Sequence, residues 1–397
     1  MHLLRVQVPD FRGLKDIDIT FEKDFFPKIF PLGSQNGGGK STLLQLIFVL
    51  LHCSVDEEKK PFIANLLQGS KIAEGEDKRV LAIIDIWDGE KVVSLDFFYN
   101  KIDVSKNIIG YRDKTINSKK LSDRDIDEDI NSEIVIDICH ISTEIENLVD
   151  NKRIIKITKL QCHSNNQSKA QSKLFLDQVS RKIFLAAPST QVFLFLPPDS
   201  RKLLFGNASS GDNYYGILAS ARSELKGLFT YDFLAVELLI ESFKAARDRD
   251  FREAIKTGSY GNSYQTLIND LNLMLSNKRI NVNEDFAGVN FKLDNNGETI
   301  ELYPEDLSHG ELKRLSIYIW LKSRNIEDAI VLMDEIEIAF HPDWQYQIIS
   351  DLKEWAPSNQ YILATHSYAL CEALTPAHVK EIEPKLIKQE SNIRNES

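Results

Sequence analysis

The spacing of hydrophobic and polar residues predicts a strand-rich first half of the chain. Strand alternation or a continuous apolar run recurs in these segments: 2–8, 16–21, 25–32, 79–99, 133–142, 153–160 and 192–196. The segment 79–99 predicts a hairpin that turns at Asp88-Gly89. A different period follows the third segment, where leucines and isoleucines between 43 and 51 recur at helical spacing.

The second half of the chain predicts helices first and then an alternation of strands and helices. Residues 214–276 have a helical pattern, and two short strands around Asn296-Gly297 predict a hairpin. The remaining predicted elements are a helix from Ser308, a strand at 329–333, a helix from Pro342, a strand at 360–364 and a helix from about Ser367. We therefore expect an α/β fold.

This pattern divides the chain into three expected parts. Residues 1–205 are an N-terminal β-rich lobe, residues 206–285 a helical insert, and residues 286–397 a C-terminal lobe of alternating helices and strands. The heptads of the helical part are not sustained, so no long coiled-coil arm is expected.

Composition excludes several classes of protein. Apolar residues make up 43% and charged residues 27% of the 397, as in a soluble protein with a large core. No apolar run reaches the roughly 18–20 residues that a membrane helix requires. The four cysteines show no CxxC spacing, and the N-terminus lacks the apolar core of a signal peptide. We expect reduced thiols and a cytoplasmic location, without membrane attachment.

Charge is unevenly distributed in a chain whose net charge is −11. Residues 122–150 hold ten acidic residues against Arg124 alone, whereas residues 151–202 hold ten Lys or Arg against Asp177 and Asp199. Two interpretations stay open. The segments are two solvated faces of one sheet region, or the basic segment is a track for nucleic acid.

One motif predicts a site for phosphate groups. It follows a predicted strand and opens a predicted helix, and it runs Gly33-Ser34-Gln35-Asn36-Gly37-Gly38-Gly39-Lys40-Ser41-Thr42. Backbone N–H groups of such a loop surround phosphates, the lysine reaches the β- and γ-phosphates, and the serine hydroxyl binds Mg²⁺. A strict G-x-x-x-x-G-K-[ST] spacing requires glycine at Ser34, so the loop is irregular there.

Two more sets of candidate catalytic and metal-binding residues lie at the ends of predicted strands. The apolar run 330–333 ends in Asp334 and Glu335. Phosphoryl transfer needs a carboxylate on the metal and a base for the attacking water, so Asp334 is assigned to Mg²⁺ and Glu335 to the base. His366 follows the next predicted strand, where it can donate to the γ-phosphate.

A fourth motif, Leu307-Ser308-His309-Gly310-Glu311, starts a predicted helix. Ser308 and Glu311 have the spacing of an ordinary capping box. The same N-terminus can bind an anion through the Ser308 hydroxyl and the Gly310 N–H. Both interpretations hold together.

The four motifs, taken in their order along the chain, resemble an ABC-type ATPase head of the SMC/RecF-like group. Leu307–Glu311 matches the signature L-S-x-G-E, and Phe11-Arg12-Gly13 resembles the strand-turn whose arginine contacts the nucleotide. The segment 335–345 resembles D-E-P-E-x-x-L-H-P-x-W-Q of overcoming-lysogenisation-defect-like and Septu-type defence ATPases, with Ile336 in place of proline. Gln68 is the candidate for the family's loop glutamine.

The resemblance implies a two-lobed ABC-type P-loop NTPase head with an inserted helical subdomain. It implies ATP and Mg²⁺ as cofactors, His366 as the switch histidine, and hydrolysis in a homodimer or higher homo-oligomer closed head to tail. It further implies an anti-phage role with a separate effector, expected to be an HNH-type nuclease. Two rivals stay open: a RecF-like ATPase that itself binds nucleic acid, and a non-hydrolysing nucleotide sensor.

Three other constellations are rejected. The acidic run 123–129 lacks the glycine and glutamate spacing of an EF-hand. The residues that follow Ser367 are too few for a Toprim nuclease domain, so nuclease activity is expected in another protein. A hairpin centred between 143 and 152 does not bring Cys139 opposite Cys162, which argues against zinc.

Overall fold

The computed structural model describes residues 1–34, 37–107, 135–147, 152–166, 168–197, 201, 214–231, 235–275, 277–283, 288–295 and 298–382. Asn36, the acidic run 123–129 and the Asn296-Gly297 turn lie outside these ranges. The described part contains three β-sheets with helices packed on them. The predicted α/β fold is confirmed.

The strands, in chain order, are β1 (His2–Phe11), β2 (Leu14–Thr20), β3 (Ile29–Gly33), β4 (Lys78–Trp87), β5 (Val92–Asn107), β6 (Val135–Asn147), β7 (Lys152–Ser164), β8 (Ile183–Ala187), β9 (Leu228–Thr230), β10 (Lys278–Val282), β11 (Val289–Asn295), β12 (Glu298–Leu302), β13 (Ile330–Asp334), β14 (Gln360–Ala364) and β15 (Lys380–Glu381). The helices are α1 (Lys40–Cys53), α2 (Lys60–Leu67), α3 (Lys169–Ser180), α4 (Tyr214–Glu224), α5 (Ala235–Thr257), α6 (Ser263–Met274), α7 (His309–Ser323), α8 (Pro342–Trp355) and α9 (Tyr368–Glu372). Three short 3₁₀ segments lie at Ser189–Phe195, Pro304–Asp306 and Pro376–His378.

The first sheet is antiparallel, with the strand order β2-β1-β4-β5-β7-β6. Its apolar residues alternate with polar ones because one face packs on the core and the other meets solvent. Leu3, Val6 and Val8 of β1, for example, are buried. The predicted hairpin at 79–99 is confirmed, with residues 88–91 between Trp87 and Val92.

The second sheet is parallel, with the strand order β15-β3-β14-β13-β8-β9. Every residue of β13 and β14 is buried, as expected for a parallel sheet covered on both faces. Because the strands run in one direction, their carboxyl ends meet at one edge. Gly33, Asp334 and Ala364 end β3, β13 and β14 at that edge.

Helix α1 lies within the core that the two large sheets share. Its apolar residues from Leu43 to Leu51 are all at most 1% exposed, and they cluster with residues of both sheets. A helix that is apolar on every side must be buried. Each such leucine or isoleucine contributes about 1.5–3 kcal/mol by leaving water, so α1 is held firmly in place.

A second group of helices lies on the other face of the parallel sheet. Helices α5, α6, α7 and α8 contribute to a second hydrophobic cluster with β13, β14 and the small antiparallel sheet β10-β11-β12. None of the described helices combines the length and apolar content that a membrane crossing requires.

The sequence patterns missed the strands β8, β9, β10 and β15 and misassigned one segment. Residues 192–196 form part of the 3₁₀ segment Ser189–Phe195 rather than a strand. The buried strand β8 precedes it, and β9 interrupts the predicted helical stretch with three residues. Short apolar runs do not distinguish a buried strand from one turn of helix, because neither shows its period over so few residues.

The register of the β6–β7 hairpin agrees with the argument against zinc. Cys139 is opposite Leu160, and Cys162 is opposite Ile136. Both thiols have raised pKa values because of burial.

Candidate nucleotide site

The glycine-rich loop begins at the end of β3 and ends at the start of α1. Gly37 and Gly39 have φ angles of 82° and 87°, which glycine adopts without strain. A Cβ on Gly39 would lie 2.4 Å from Leu14 Cδ2, so the β1–β2 turn packs tightly against the loop. Gly38 is buried, and Lys40, Ser41 and Thr42 form the first turn of α1.

The Lys40 ammonium is buried at the carboxyl edge of the parallel sheet. Its Nζ lies 3.0 Å from both the carbonyl and the hydroxyl oxygen of Ser34, and 3.4 Å from His366 Nδ1. Because an ammonium only donates, Nδ1 of His366 accepts and Nε2 carries the proton. Burial lowers the pKa of Lys40, and Asp334, Glu337 and Glu335 oppose that effect.

Asp334, at the end of β13, is the most buried carboxylate of the site. Its side chain is 1% exposed, and Ser41 Oγ donates to Oδ1 at 3.1 Å. The pKa of Asp334 is raised to about 7, chiefly by burial; the nearby Glu335 and Glu337 carboxylates also raise it, whereas the Ser41 hydrogen bond and Lys40 lower it. Such an acid is poised to exchange its proton for a cation near neutral pH.

A glutamine that the sequence patterns missed completes the surroundings of Asp334. Gln191 Nε2 donates to Asp334 Oδ2, and buried Gln45 Nε2 donates to Gln191 Oε1 at 2.8 Å. Gln191 lies in the 3₁₀ segment directly after β8, so recognising that buried strand was the signal that would have found it. Gln68, the sequence candidate, is exposed at the end of α2.

Glu335 and His366 line one cavity of about 400 Å³ with Glu337, Ile338, Gln345 and Ser367. Glu335 has a φ of 52°, which is unusual for a residue with a side chain. Its N–H donates to Ala364 O at 2.9 Å, and its carbonyl accepts from Lys313 Nζ at 3.0 Å. The β13 end is therefore tied both to β14 and to α7.

Ser308 and Gly310 lie at the start of α7. Ser308 Oγ accepts from the Glu311 N–H at 3.2 Å, and Glu311 Oε2 accepts from the Ser308 N–H at 2.9 Å. The predicted capping box is confirmed. A Cβ on Gly310 would lie 2.6 Å from Ala339 O, so only glycine fits. The described hydrogen bonds of Ser308 stay within its own helix and do not reach Lys40.

Arg12 lies in the β1–β2 turn, which packs on the glycine-rich loop through Leu14. Its guanidinium donates to Leu66 O at 2.5 Å and lies over the Phe11 ring. Burial and the nearby Arg201 lower the pKa of Arg12. The described contacts of Arg12 are therefore on α2 and Phe11.

The edge therefore gathers the groups that polyphosphate and a divalent cation require. A buried ammonium, the α1 N-terminus and the glycine-rich backbone provide the positive side. The Ser41 hydroxyl and Asp334 carboxylate are oxygen ligands of the kind that Mg²⁺ prefers. The close approach of Ser41 to a buried carboxylate of raised pKa fits such a cation. Among the residues that the structure describes, no three His, Cys, Asp or Glu side chains form a metal cage.

Comparison with protein families identifies the class. A family model described as "AAA domain, putative AbiEii toxin, Type IV TA system" matches residues 35–372. The match runs from the glycine-rich loop past His366, so the chain belongs to this AAA ATPase family.

Individual relatives are more distant. A segment of 69 residues is 38% identical to the "Retron Vc95 probable ATPase" of Vibrio cholerae serotype O1 biovar El Tor, covering 16% of this chain and 13% of that protein. Solved structures that are similar include an SMC head bound to the C-terminal winged-helix domain of ScpA (12% identity, TM-score 0.43, 94% and 92% of the two chains). Another is the SMC head domain from Thermotoga maritima (9% identity, TM-score 0.41, 94% and 92%).

Proposed function

We propose that this chain binds ATP with Mg²⁺ and hydrolyses it. The observation that carries the proposal is the meeting of Lys40, Ser41, Asp334 and His366 at one sheet edge, although 326 positions separate Lys40 from His366. Apolar strands often end in acids, and a lysine often follows glycines. A phosphoryl-transfer site is built from parts of this kind: a lysine, a hydroxyl, a buried carboxylate and a histidine that meet at a helix N-terminus.

Each residue has a role that its position supports. Lys40 and the loop backbone, from Gly37 to Thr42, bind the β- and γ-phosphates. Ser41 and Asp334 hold Mg²⁺, which neutralises charge on the phosphate oxygens when it is bound. Asn36 and Arg12 are further nucleotide contacts on the grounds of the resemblance alone.

Glu335 and His366 act on the far side of the γ-phosphate. Glu335 takes the proton of the attacking water, since it lines the cavity beside His366. His366 donates through Nε2–H to the γ-phosphate once ATP draws Lys40 away from Nδ1.

Phosphate release by the purified chain tests the proposal. We expect release with Mg²⁺, none with a chelator, and a loss of at least about 100-fold in Glu335→Gln with ATP binding kept. The matched control is Glu354→Gln, an exposed carboxylate on α8. Hydrolysis at the wild-type rate by Glu335→Gln would show that another residue is the base. Binding of ATP without hydrolysis by the wild type, with and without its partner, would favour the nucleotide sensor.

We further propose that two copies close head to tail around ATP. The proposal rests on the resemblance and on the placement of Ser308 and Gly310, whose described contacts lie within α7 and with Ala339 rather than with Lys40. A partner's α7 N-terminus would then provide the hydroxyl and N–H for the γ-phosphate of the first copy. ATP would favour the closed state because it binds that state more tightly than the open one.

The setting we propose is a Septu-type anti-phage defence system in the cytoplasm, with a separate HNH-type nuclease as effector. It is supported by the resemblance of 335–345 and by the toxin–antitoxin description of the family. The division into 1–205, 206–285 and 286–397 belongs to the same proposal. Co-purification with the products of adjacent genes tests the partner. DNA binding that weakens by orders of magnitude with salt would instead favour the RecF-like function.

A further inference from the structure

Glu337 connects the two segments that carry Glu335 and His366. It lies two residues after Glu335, in the segment between β13 and α8. Its Oε1 accepts a hydrogen bond from the backbone N–H of His366 at 2.7 Å. This bond spans 29 positions of sequence and fixes where the chain leaves β14. The bond therefore links the position of His366 to that of Glu337.

The other carboxylate oxygen of Glu337 is buried without a hydrogen-bond partner among the described residues. A buried acceptor left unpaired costs about 1–3 kcal/mol, and such groups in folded proteins usually bind water or a ligand. Glu337 lines the cavity of about 400 Å³ whose walls also include Glu335 and His366. The cavity is large and polar enough to hold water, and a water molecule in it is the donor that the proposal below assigns to this oxygen.

We propose that Glu337 is a second carboxylate on the attacking water, and this rests on the hydrolytic function proposed above. Its Oε1 holds the His366 backbone, and its Oε2 accepts one hydrogen bond from the water. The other proton of that water points to Glu335. A water held by two acceptors has its lone pair free for phosphorus, which reduces the orientational part of the barrier.

The proposed step is balanced in atoms and charge. The water oxygen forms a bond to the γ-phosphorus while the bond from that phosphorus to the bridging oxygen of ADP breaks. One proton passes from the water to the Glu335 carboxylate and then to phosphate or solvent. Glu337 keeps its charge throughout, because it accepts a hydrogen bond without taking the proton. The products are ADP and inorganic phosphate.

The His366 segment has a second support that does not involve Glu337. Ser367 Oγ donates to Gln345 Oε1 at 2.5 Å and accepts from the Leu370 N–H at 3.1 Å. These bonds hold the start of α9 on α8. A variant at position 337 is therefore expected to keep its fold, and kinetic effects can be separated from unfolding.

Two substitutions separate the water-binding role from simple support of His366. Glu337→Gln keeps an amide oxygen that can accept the His366 N–H but places an NH₂ donor where the water needs an acceptor. Glu337→Ala removes both functions. Glu354→Gln on α8 is the matched control. The full chain, alone and in the complex in which it co-purifies, is assayed for phosphate release, for ATP affinity and for melting temperature.

We expect Glu337→Gln to bind ATP within about twofold of wild type while kcat falls at least about 10-fold, as expected for loss of an interaction made in the transition state. Glu337→Ala should lose at least as much. A normal kcat in Glu337→Gln with a low kcat in Glu337→Ala would overturn the proposal and leave support of His366 as the only role. Loss of ATP affinity in step with kcat would overturn it too. A wild type that binds ATP without releasing phosphate contradicts the hydrolytic function itself, and the inference with it.

Discussion

At the residue scale, Ser34 shows how an irregular motif position is used. A strict spacing requires glycine there, yet the Ser34 hydroxyl and carbonyl both lie 3.0 Å from Lys40 Nζ. With His366 Nδ1 as the third neighbour, every proton of the ammonium has an acceptor before a phosphate arrives. The departure from the spacing is therefore compatible with the site, because the serine satisfies the buried charge that the lysine brings.

Lys40→Ala should abolish nucleotide binding. The substitution removes the buried positive charge that faces the β- and γ-phosphates, and charge-assisted hydrogen bonds are the strong ones. We expect at least about a 100-fold loss of ATP affinity in a titration with a fluorescent ATP analogue. Lys244→Ala, an exposed lysine on α5, should bind like the wild type. Tight retention of ATP by Lys40→Ala would contradict the assignment of the loop.

Asp334 should make the stability of the nucleotide-free protein depend on pH. Burial raises the pKa of Asp334 to about 7, so the folded state binds a proton that the unfolded state has lost. Its contribution to stability is full below the unfolded pKa and is lost as the pH rises through 7. Between pH 5.5 and 7.5 the wild type should lose about 2 kcal/mol of unfolding free energy relative to Asp334→Asn. Denaturant titrations without Mg²⁺ measure this, and parallel pH profiles of the two proteins would contradict it.

At the element scale, the glycine-rich loop is held by the β1–β2 turn as well as by β3 and α1. Leu14 at the start of β2 occupies the space that a side chain at Gly39 would need. The helices at this edge have local reasons for their starts: Ser308 caps α7, and Ser367 caps α9. Local capping and one long-range contact together determine where each functional group lies.

Gly39→Ala should destabilise the protein by about 2–3 kcal/mol, since it adds a left-handed backbone cost to a clash with Leu14. Gly75→Ala is the matched control, because Gly75 has a φ of 86° and open space around it. We expect that variant to lose only about 1 kcal/mol. Urea titration measures both. Equal losses in the two variants would show that the contact between Leu14 and the loop does not matter.

At the scale of the whole molecule, the two large sheets share the helix that starts with Lys40. Strands β3 and β8 come from the first half of the chain but pair with β14 and β13 from its end. Residues that are far apart in sequence thus build one sheet edge, and that edge is where the site lies. The start of α7 is exposed at Ser308 and His309, and it is the surface that the proposed dimer would use.

Ser308→Arg should prevent the proposed dimer. Both proteins carry Glu335→Gln. The protein that keeps Ser308 should become a dimer when ATP is added, whereas the Ser308→Arg protein should stay monomeric and still bind ATP. Ser168→Arg is the matched control because Ser168 caps α3 through the same bond, to the Gln171 N–H at 3.2 Å. Light scattering with and without ATP measures the mass. A dimer in Ser308→Arg, or ATP-bound monomers in both proteins, would contradict head-to-tail closure.

The sequence by itself determined the features that depend on near neighbours. The structure confirms four such features: the strand-loop-helix context of 29–53, the capping box of Ser308, the hairpin at 79–99, and the strands before Asp334 and His366. Their signals are turn residues, caps and apolar periods, which act within a few residues of one another.

Only the tertiary structure decided which of these features meet. No local signal predicts the pairing of Lys40 with His366, the bond from Gln191 to Asp334, or the Glu337 oxygen that has no partner within the described ranges. The strands β8 and β9 were missed for the same reason, since a short buried strand is specified by its neighbours in the sheet rather than by its own period. Such contacts are made by sheet order and by the burial of α1, and these depend on the whole chain at once.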